Sequence, residues 1–401
     1  MTLHAQQHDG ISDELREAII GHDGDDLRTS DQGTTFVQLL DEQGHRHTGG
    51  VFGRIADALS HAELREMYRD LVLLRRFDQE ATALQRHGEL ALWAPCLGQE
   101  AAQVGLGRGL RSQDFAYTSY REHGVALQRG LAPRDLLRIF RGVSHGGWDP
   151  HAHNLSAYEI MIGAQTLHAA GYAMGVKLEG AAGTGDVDSD VAVVTCFGDG
   201  ATSEGDVAEA LTFAASFQAP VLFFCQNNQW AISVPKQVQT PSPIYRRGEG
   251  YGIPGIRVDG NDLLASYAVS RFALDRVRSG AGPLFVEAYT YRMGAHTTAD
   301  DPTRYRSAEE VERWKRADPL ERVRRHLLEI GAADEDFFTV LDAEAEQWGA
   351  GVREACLSLE TPGLDALFDH IYADSHALVE QERAEFRAYE NSFGETVEEG
   401  A

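Results

Sequence analysis

Four cysteines occur in 401 residues, Cys96, Cys196, Cys225 and Cys356, and no two of them form a C-x-x-C pair. That spacing offers neither the clustered thiolates of a zinc site nor a disulfide framework, so buried free thiols are expected. Long apolar runs are also missing: nothing approaches the roughly 18 uninterrupted apolar residues of a membrane span. Residues 1–30 are too polar for a secretory signal. A cytoplasmic protein without membrane contact is expected. Positive charge is in deficit, with 36 Lys and Arg against 62 Asp and Glu and a formal net charge of -26. Nucleic-acid binding needs clustered cations to neutralise phosphates, so it is not expected here.

What is present suffices for a large core, with 43% hydrophobic residues. Residues 1–34 are rich in Asp, Gln, His and Gly with little apolar periodicity, and read as a mobile arm. Phe36-Val37-Gln38-Leu39-Leu40 followed by Asp41-Glu42-Gln43-Gly44 reads as a short strand entering a turn. Over 62–86, Met67, Leu71, Leu74 and Phe77 recur at helical spacing.

From 155 to 292 the pattern alternates. A small-residue helix (165–177), a polar loop (180–190) and an apolar strand (191–197) precede a helix in which Ser203 would cap. In that helix Val207, Ala210, Leu211, Ala214 and Phe217 share a face. Further strands read at 221–225, 255–258 and 284–288, with a helix at 262–278. Strands with almost no polar alternation, joined by helices, imply an α/β fold: a mostly parallel sheet with helices on both faces. Beyond 305 the chain turns charged, and helices are expected at 309–315, 320–330, 342–358 and 375–389.

Two segments carry the chemistry. Gly198-Asp199-Gly200-Ala201-Thr202-Ser203-Glu204-Gly205 leaves one buried strand, and Gln226-Asn227-Asn228-Gln229-Trp230 leaves the next. Parallel pairing would put both strand ends on one edge, where open sheets of this kind hold ligands. The Asp199 carboxylate, the Asn228 amide oxygen and the Trp230 carbonyl suit a hard cation such as Mg²⁺, which completes its octahedron with phosphate and water. Gly198 and Gly200 allow close backbone approach, and amides near Ala201 and Thr202 point at negative charge. A G-D-G or an Asn pair alone usually marks a turn. Their joint placement, with 29 positions separating Asp199 from Asn228, is far more specific.

This spacing is the thiamine-diphosphate fingerprint, and the chain resembles the alpha subunit of the decarboxylating component of branched-chain 2-oxo acid and pyruvate dehydrogenase complexes. The resemblance runs from about residue 60 to 390. It is carried also by Gly98-Gln99-Glu100-Ala101, Ser119-Tyr120-Arg121-Glu122-His123-Gly124, Gly163-Ala164-Gln165, Val258-Asp259-Gly260-Asn261-Asp262 and Tyr291-Arg292-Met293-Gly294-Ala295-His296. It implies a thiamine-diphosphate-binding core at 60–310, an N-terminal extension with a short strand at 1–59, and a helical region at 311–401 packed on the core.

The resemblance also implies Tyr120, Arg121, Gln226 and His296 at the diphosphate, with Gly200 and Ala201 beside it, Ile162 supporting the bent cofactor, and Mg²⁺ on Asp199, Asn228 and Trp230. His296 is in addition a catalytic candidate, since an imidazole suits proton traffic or oxyanion stabilisation. Relatives often carry Arg where Gln226 stands, so one phosphate cation must be replaced. Glu159 and Ala164 occupy places that hold a potassium ion in branched-chain relatives. Some relatives are switched off by phosphorylation in the loop whose matching positions here are Thr297 and Ser307. Leu92 and Trp93 are candidates for an acyl pocket, or for core. The small residues of the 165–177 helix suit packing within the domain or a subunit interface.

The glutamate that assists the cofactor's aminopyrimidine comes, in this family, from a separate beta subunit. An alpha2-beta2 heterotetramer is therefore implied, acting on a small 2-oxo acid and passing the acyl group to a lipoyl-bearing acyltransferase. Trp230-Ala231-Ile232-Ser233 favours branched-chain substrates, with pyruvate as the alternative. A metal-dependent phosphate- or nucleotide-binding protein is the rival of another class. Against it, G-x-x-x-x-G-K-[ST] is absent, and the run at 198 fails G-x-G-x-x-G at Ser203.

Overall fold

The computed structural model describes residues 27–29, 35–47, 50–144 and 146–393. Apart from 27–29, the expected arm at 1–34 lies outside the described residues. Those three residues form a strand, the first of seven in one sheet: β1 (Leu27–Thr29), β2 (Thr35–Val37), β3 (Phe115–Tyr117), β4 (Val193–Gly198), β5 (Val221–Asn227), β6 (Gly255–Asp259) and β7 (Leu284–Tyr289). The spatial order is β1-β2-β6-β7-β5-β4-β3. Only the β1–β2 pair is antiparallel; every other pairing in the sheet is parallel.

The strands are apolar without alternation because both faces are covered. Successive side chains still point to opposite sides. Val193, Phe197, Val221, Phe223, Cys225 and Phe285 enter one core. Their neighbours Val194, Cys196, Leu222, Phe224, Leu284 and Val286 enter the other. The smaller core is closed by α3 (Ala164–Leu178) and α4 (Gly205–Phe217), the larger by α1 (His61–Arg86), α2 (Glu100–Gly109) and α5 (Leu263–Arg278). Helix α1 starts with a capping box: Glu63 N–H donates to Ser60 Oγ at 3.2 Å, and Ser60 N–H donates to the Glu63 carboxylate at 2.8 Å. Met67, Leu71, Leu74 and Phe77 are buried along it.

Three local expectations are corrected. Ser203 does not cap the helix after the G-D-G turn. Gly200–Ser203 form a tight 3-10 turn with Thr202 Oγ1 donating to the Asp199 carbonyl, and α4 begins only at Gly205. Phe217 is 51% exposed rather than on the buried face, beside an equally open Phe213. The helix expected at 342–358 begins seven residues earlier as α6 (Glu335–Leu357), because Asp334 caps the Phe337 N–H and Phe338 packs edge-on against Tyr68, 5.4 Å between centroids. Residues of α6 and of the helix Pro319–Glu329 share the larger core with α1.

All four cysteines are free and buried. Among the described residues no helix is long and apolar enough to cross a membrane. Within α3, Ala169, Ala170 and Ala173 are buried against the smaller core, whereas a Cβ at Gly171 or Gly175 would meet nothing within 4 Å. One side of the small-residue helix packs inside the domain and the other faces outward.

Candidate active site

Strand pairing sets the site. Gly198 lies opposite Gln226 and Asn227 opposite Tyr289, so the residues following β4, β5 and β7 emerge together at one sheet edge. The chain after β7 is tied there by Thr290 N–H to the Asn227 carbonyl (2.9 Å) and Arg292 N–H to the Asn228 carbonyl (3.2 Å). Gly98 closes the same corner: its φ is +94°, and a Cβ would come within 2.3 Å of the Tyr291 carbonyl oxygen. Only glycine fits both demands.

A cavity of about 230 Å³ opens at this edge. It is lined by Tyr120, Arg121, Ile162, Asp199, Gly200, Ala201, Gln226, Asn228, Trp230 and His296. These ten positions, far apart in sequence, meet in one place. Leu92 and Trp93 do not line it: Trp93 is fully buried, stacked on His123 at 4.2 Å, with Nε1 donating to Asp78 at 2.7 Å. Of the two readings for Trp93, core is the one observed.

The lining carries both signs of charge. Asp199 is buried and its carboxylate accepts from Gln239 Nε2 at 2.8 Å; burial pushes its pKa up to about 6. Asn228 Nδ2 donates to Gln99 Oε1 at 3.1 Å, and its Oδ1 accepts from Trp230 N–H at 3.2 Å. Gly200 has no room for a side chain, since a Cβ would sit 2.7 Å from that of Ala231. This close approach explains the glycine after Asp199.

Two guanidinium groups line the same cavity. Arg121 donates to the carbonyls of Pro95 and His296, and its Nη2 lies 3.1 Å from His296 Nδ1. Arg292 donates to the carbonyls of Trp230 (3.1 Å) and Ile232 (2.7 Å), and approaches the same Nδ1 at 3.4 Å. Burial, then the neighbouring Arg121, lowers the Arg292 pKa to about 10. Burial and these two cations lower that of His296 to about 3, leaving a neutral ring. Because both neighbours of Nδ1 can only donate, Nδ1 accepts and the proton sits on Nε2. The loop carrying His296 is tied down: His296 N–H donates to Asp300 at 2.8 Å, Tyr305 Oη donates to the same carboxylate, and Thr298 N–H donates to the Trp93 carbonyl at 2.9 Å. Ser307 caps the helix Ala308–Lys315, while Thr297 Oγ1 accepts weakly from Ala299 N–H at 3.4 Å.

Sequence reading missed Arg292, Gln99, Gln165, Glu122 and Glu204, which also line the cavity. Arg292 supplies the second cation that Gln226 cannot. Its signal was available, an arginine just past the end of a buried strand in the segment ending at His296. Gln99 Nε2 and Gln165 Oε1 are buried without a hydrogen-bond partner among the described residues, as polar groups awaiting a polar ligand would be.

Acidic and amide oxygens facing cationic donors across one cavity, at the carboxyl ends of a parallel sheet, are what a phosphorylated cofactor held partly through a metal requires. A family model described as dehydrogenase E1 component matches residues 68–358. The chain belongs to this family of thiamine-diphosphate-dependent 2-oxo acid dehydrogenases. It is 46% identical over 331 residues to the 3-methyl-2-oxobutanoate dehydrogenase subunit alpha of Mycobacterium tuberculosis, covering 82% of this chain and 88% of that one. The pyruvate dehydrogenase E1 component subunit alpha of Acholeplasma laidlawii is 37% identical over 332 residues, 81% of this chain and 93% of its own. The corresponding subunit of Staphylococcus epidermidis is 36% identical over 342 residues, 84% and 89%.

Proposed function

We propose that the cavity holds thiamine diphosphate through Mg²⁺ and that the chain is the alpha subunit of a branched-chain 2-oxo acid dehydrogenase. The observation that carries this reading is that Asp199 and Asn228 line one cavity together with Arg121, Arg292 and His296. Asp199, the Asn228 amide oxygen and the Trp230 carbonyl would hold the metal. The burial that disfavours the charge on Asp199 would be relieved by a cation beside it. Arg121 and Arg292 would take the diphosphate as charge-assisted donors, with Tyr120 and the amides at Gly200 and Ala201 around them and Gln226 adjoining. His296 would donate from Nε2. Its neutrality suits a hydrogen-bond donor that does not release its proton to the diphosphate.

When bound, thiamine diphosphate supplies the electron sink for decarboxylation of a 2-oxo acid. This chain binds and orients it, and Ile162 would brace its middle. The remaining half of the site belongs to a beta subunit in an alpha2-beta2 assembly, which would contribute the glutamate. Support comes from the cavity mouth, where Ile162 and Ile232 are 43% and 57% exposed and the adjoining Ile160 and Met161 are 60% and 71% exposed. The acyl group would pass to a lipoyl-bearing acyltransferase in the cytoplasm. Similarity to the 3-methyl-2-oxobutanoate dehydrogenase subunit favours branched-chain substrates, and similarity to pyruvate dehydrogenase subunits keeps pyruvate as the second reading. Co-expression with a beta subunit, followed by decarboxylation rates on 3-methyl-2-oxobutanoate and pyruvate, tests it. A faster rate on pyruvate reverses the substrate assignment, and full activity of the alpha chain alone overturns the shared site.

A further inference from the structure

Three buried side chains, Gln226 and Glu122 at the cavity and Gln103 behind them, are joined in a line whose direction the backbone dictates. Gly124 N–H donates to Gln103 Oε1 at 2.8 Å, and Gln103 Nε2 donates to the Arg121 carbonyl at 3.0 Å. An amide N–H can only donate and a carbonyl can only accept, so Gln103 is oriented twice over. Its Nε2 also lies 3.2 Å from Gln226, which must therefore present Oε1. Gln226 Nε2 then faces Glu122 Oε1 at 2.7 Å. The other carboxylate oxygen accepts from Ser119 N–H and Ser119 Oγ, both at 2.7 Å. Gln103, Gln226 and Glu122 are 0%, 2% and 2% exposed, so water cannot replace a lost partner.

We propose that Gln103, Gln226 and Glu122 form a one-way hydrogen-bond chain that holds the 119–124 turn, making Gln226 a positioning residue for Tyr120 and Arg121 rather than a substitute for a phosphate-binding arginine. The turn is gripped at three points: Ser119 through Glu122, the Arg121 carbonyl through Gln103, and Gly124 N–H through Gln103. Both functional groups of Gln226 are engaged within the protein. An arginine at 226 could donate to Glu122 but could not accept from Gln103. With Glu122 and Gln103 as neighbours, the side chain at 226 must both accept and donate, as its amide does.

The direction of the chain makes an exacting test, which rests on the thiamine-diphosphate reading for one of its two readouts. In Glu122→Gln, the new side-chain oxygen must take Ser119 N–H, which sets amide against amide at Gln226. Flipping Gln226 only moves the conflict to Gln103. In Gln226→Glu, two carboxylates face each other. In the double variant Glu122→Gln/Gln226→Glu, Gln103 and the amide introduced at position 122 both donate to the carboxylate introduced at position 226. Ser119 then donates to the amide oxygen at 122, so every bond is restored with the charge moved one link along.

Thermal melting of the full-length chain without ligand, and calorimetry with thiamine diphosphate and Mg²⁺ on the same chain co-expressed and assembled with a beta subunit, would be measured for all four proteins. Each single variant is expected to lower the melting midpoint and to weaken the cofactor by about tenfold, while the double variant returns to within about threefold of wild type. A double variant no better than either single, or singles indistinguishable from wild type, would overturn the chain. Wild-type protein that fails to bind the cofactor would instead overturn the cofactor reading, and the melting comparison would still decide whether the chain exists.

Discussion

On the floor of the cavity, Asp199, Gln226, Asn228 and Arg292 are 1%, 2%, 6% and 0% exposed, and each is fixed by partners from other segments. On its rim, Ile160 and Met161 are 60% and 71% exposed. A chain evolved to work alone would leave the polar groups wet and hide the apolar ones. The inversion is intelligible if the two regions complete different contacts. On the proposed function, the floor would offer buried polar and charged groups to a small charged molecule, whereas the rim would offer apolar surface to a beta subunit.

The comparison breaks most sharply at Asp199. Its replacement by alanine is expected to weaken Mg²⁺-dependent binding of thiamine diphosphate by at least about a hundredfold, since even outer partners of metal ligands cost ten- to a hundredfold. Calorimetry showing unaltered binding would remove the metal from the floor. Rigidity of the floor is tested next. Gly98→Ala would force a side chain into a left-handed backbone and against the Tyr291 carbonyl, for an expected loss of about 2–3 kcal/mol in denaturant unfolding; a loss under about 0.5 kcal/mol would mean the corner is slack. The rim should behave oppositely. Met161→Asp is expected to weaken association with the beta subunit by about tenfold while leaving the unfolding midpoint of the free chain nearly unchanged, as for an exposed interface residue. A large fall in stability with no effect on association would contradict the contrast.

A further test is in acid. His296 is held neutral with its pKa near 3 against 6.5 when unfolded. Above 6.5 both states leave it neutral. As pH falls from 6.5 toward 3 the unfolded chain gains a proton that the folded chain refuses, so this residue's share of stability is lost on acidification. His123, lowered to about 3 by burial, acts the same way. Asp78, raised to about 7 by burial, acts oppositely, its contribution being lost as pH rises. Only the difference between wild type and His296→Asn isolates the histidine, and the variant should show the shallower loss between pH 6.5 and 4. Parallel acid profiles would mean that His296 is not held neutral in the folded chain.

The strand-end motifs were legible because their context is local. An apolar run followed at once by Gly198-Asp199-Gly200, or by Asn227-Asn228, places its chemistry at the end of a strand. The parallel sheet was legible for the same reason, from runs such as Val221 to Cys225. Gln99 and Glu122 were not read as site residues, because what makes them so is the company of Asn228 and Gln226, more than a hundred positions away. Strand β3 has three residues, too few for periodicity to register. Ser203 failed as a cap because Gly200–Ser203 are themselves closed into a 3-10 turn, which leaves Glu204 at the N-cap position of the helix that starts at Gly205. Trp93 shows the converse: a large aromatic near a motif says nothing about which side of the wall it occupies.

Arg292 reaches further than the cavity. Its Nη2 donates to Tyr305 Oη at 2.9 Å, and the Tyr305 ring lies 5.2 Å from that of Trp230, whose Nε1 donates to Glu310 at 3.1 Å. A ligand that draws the guanidinium toward itself must loosen its hold on the tyrosine and so alter the surroundings of an indole. Trp230 would thereby serve as an optical reporter: its emission is expected to change as the cavity fills, and unchanged emission on saturation would break this link.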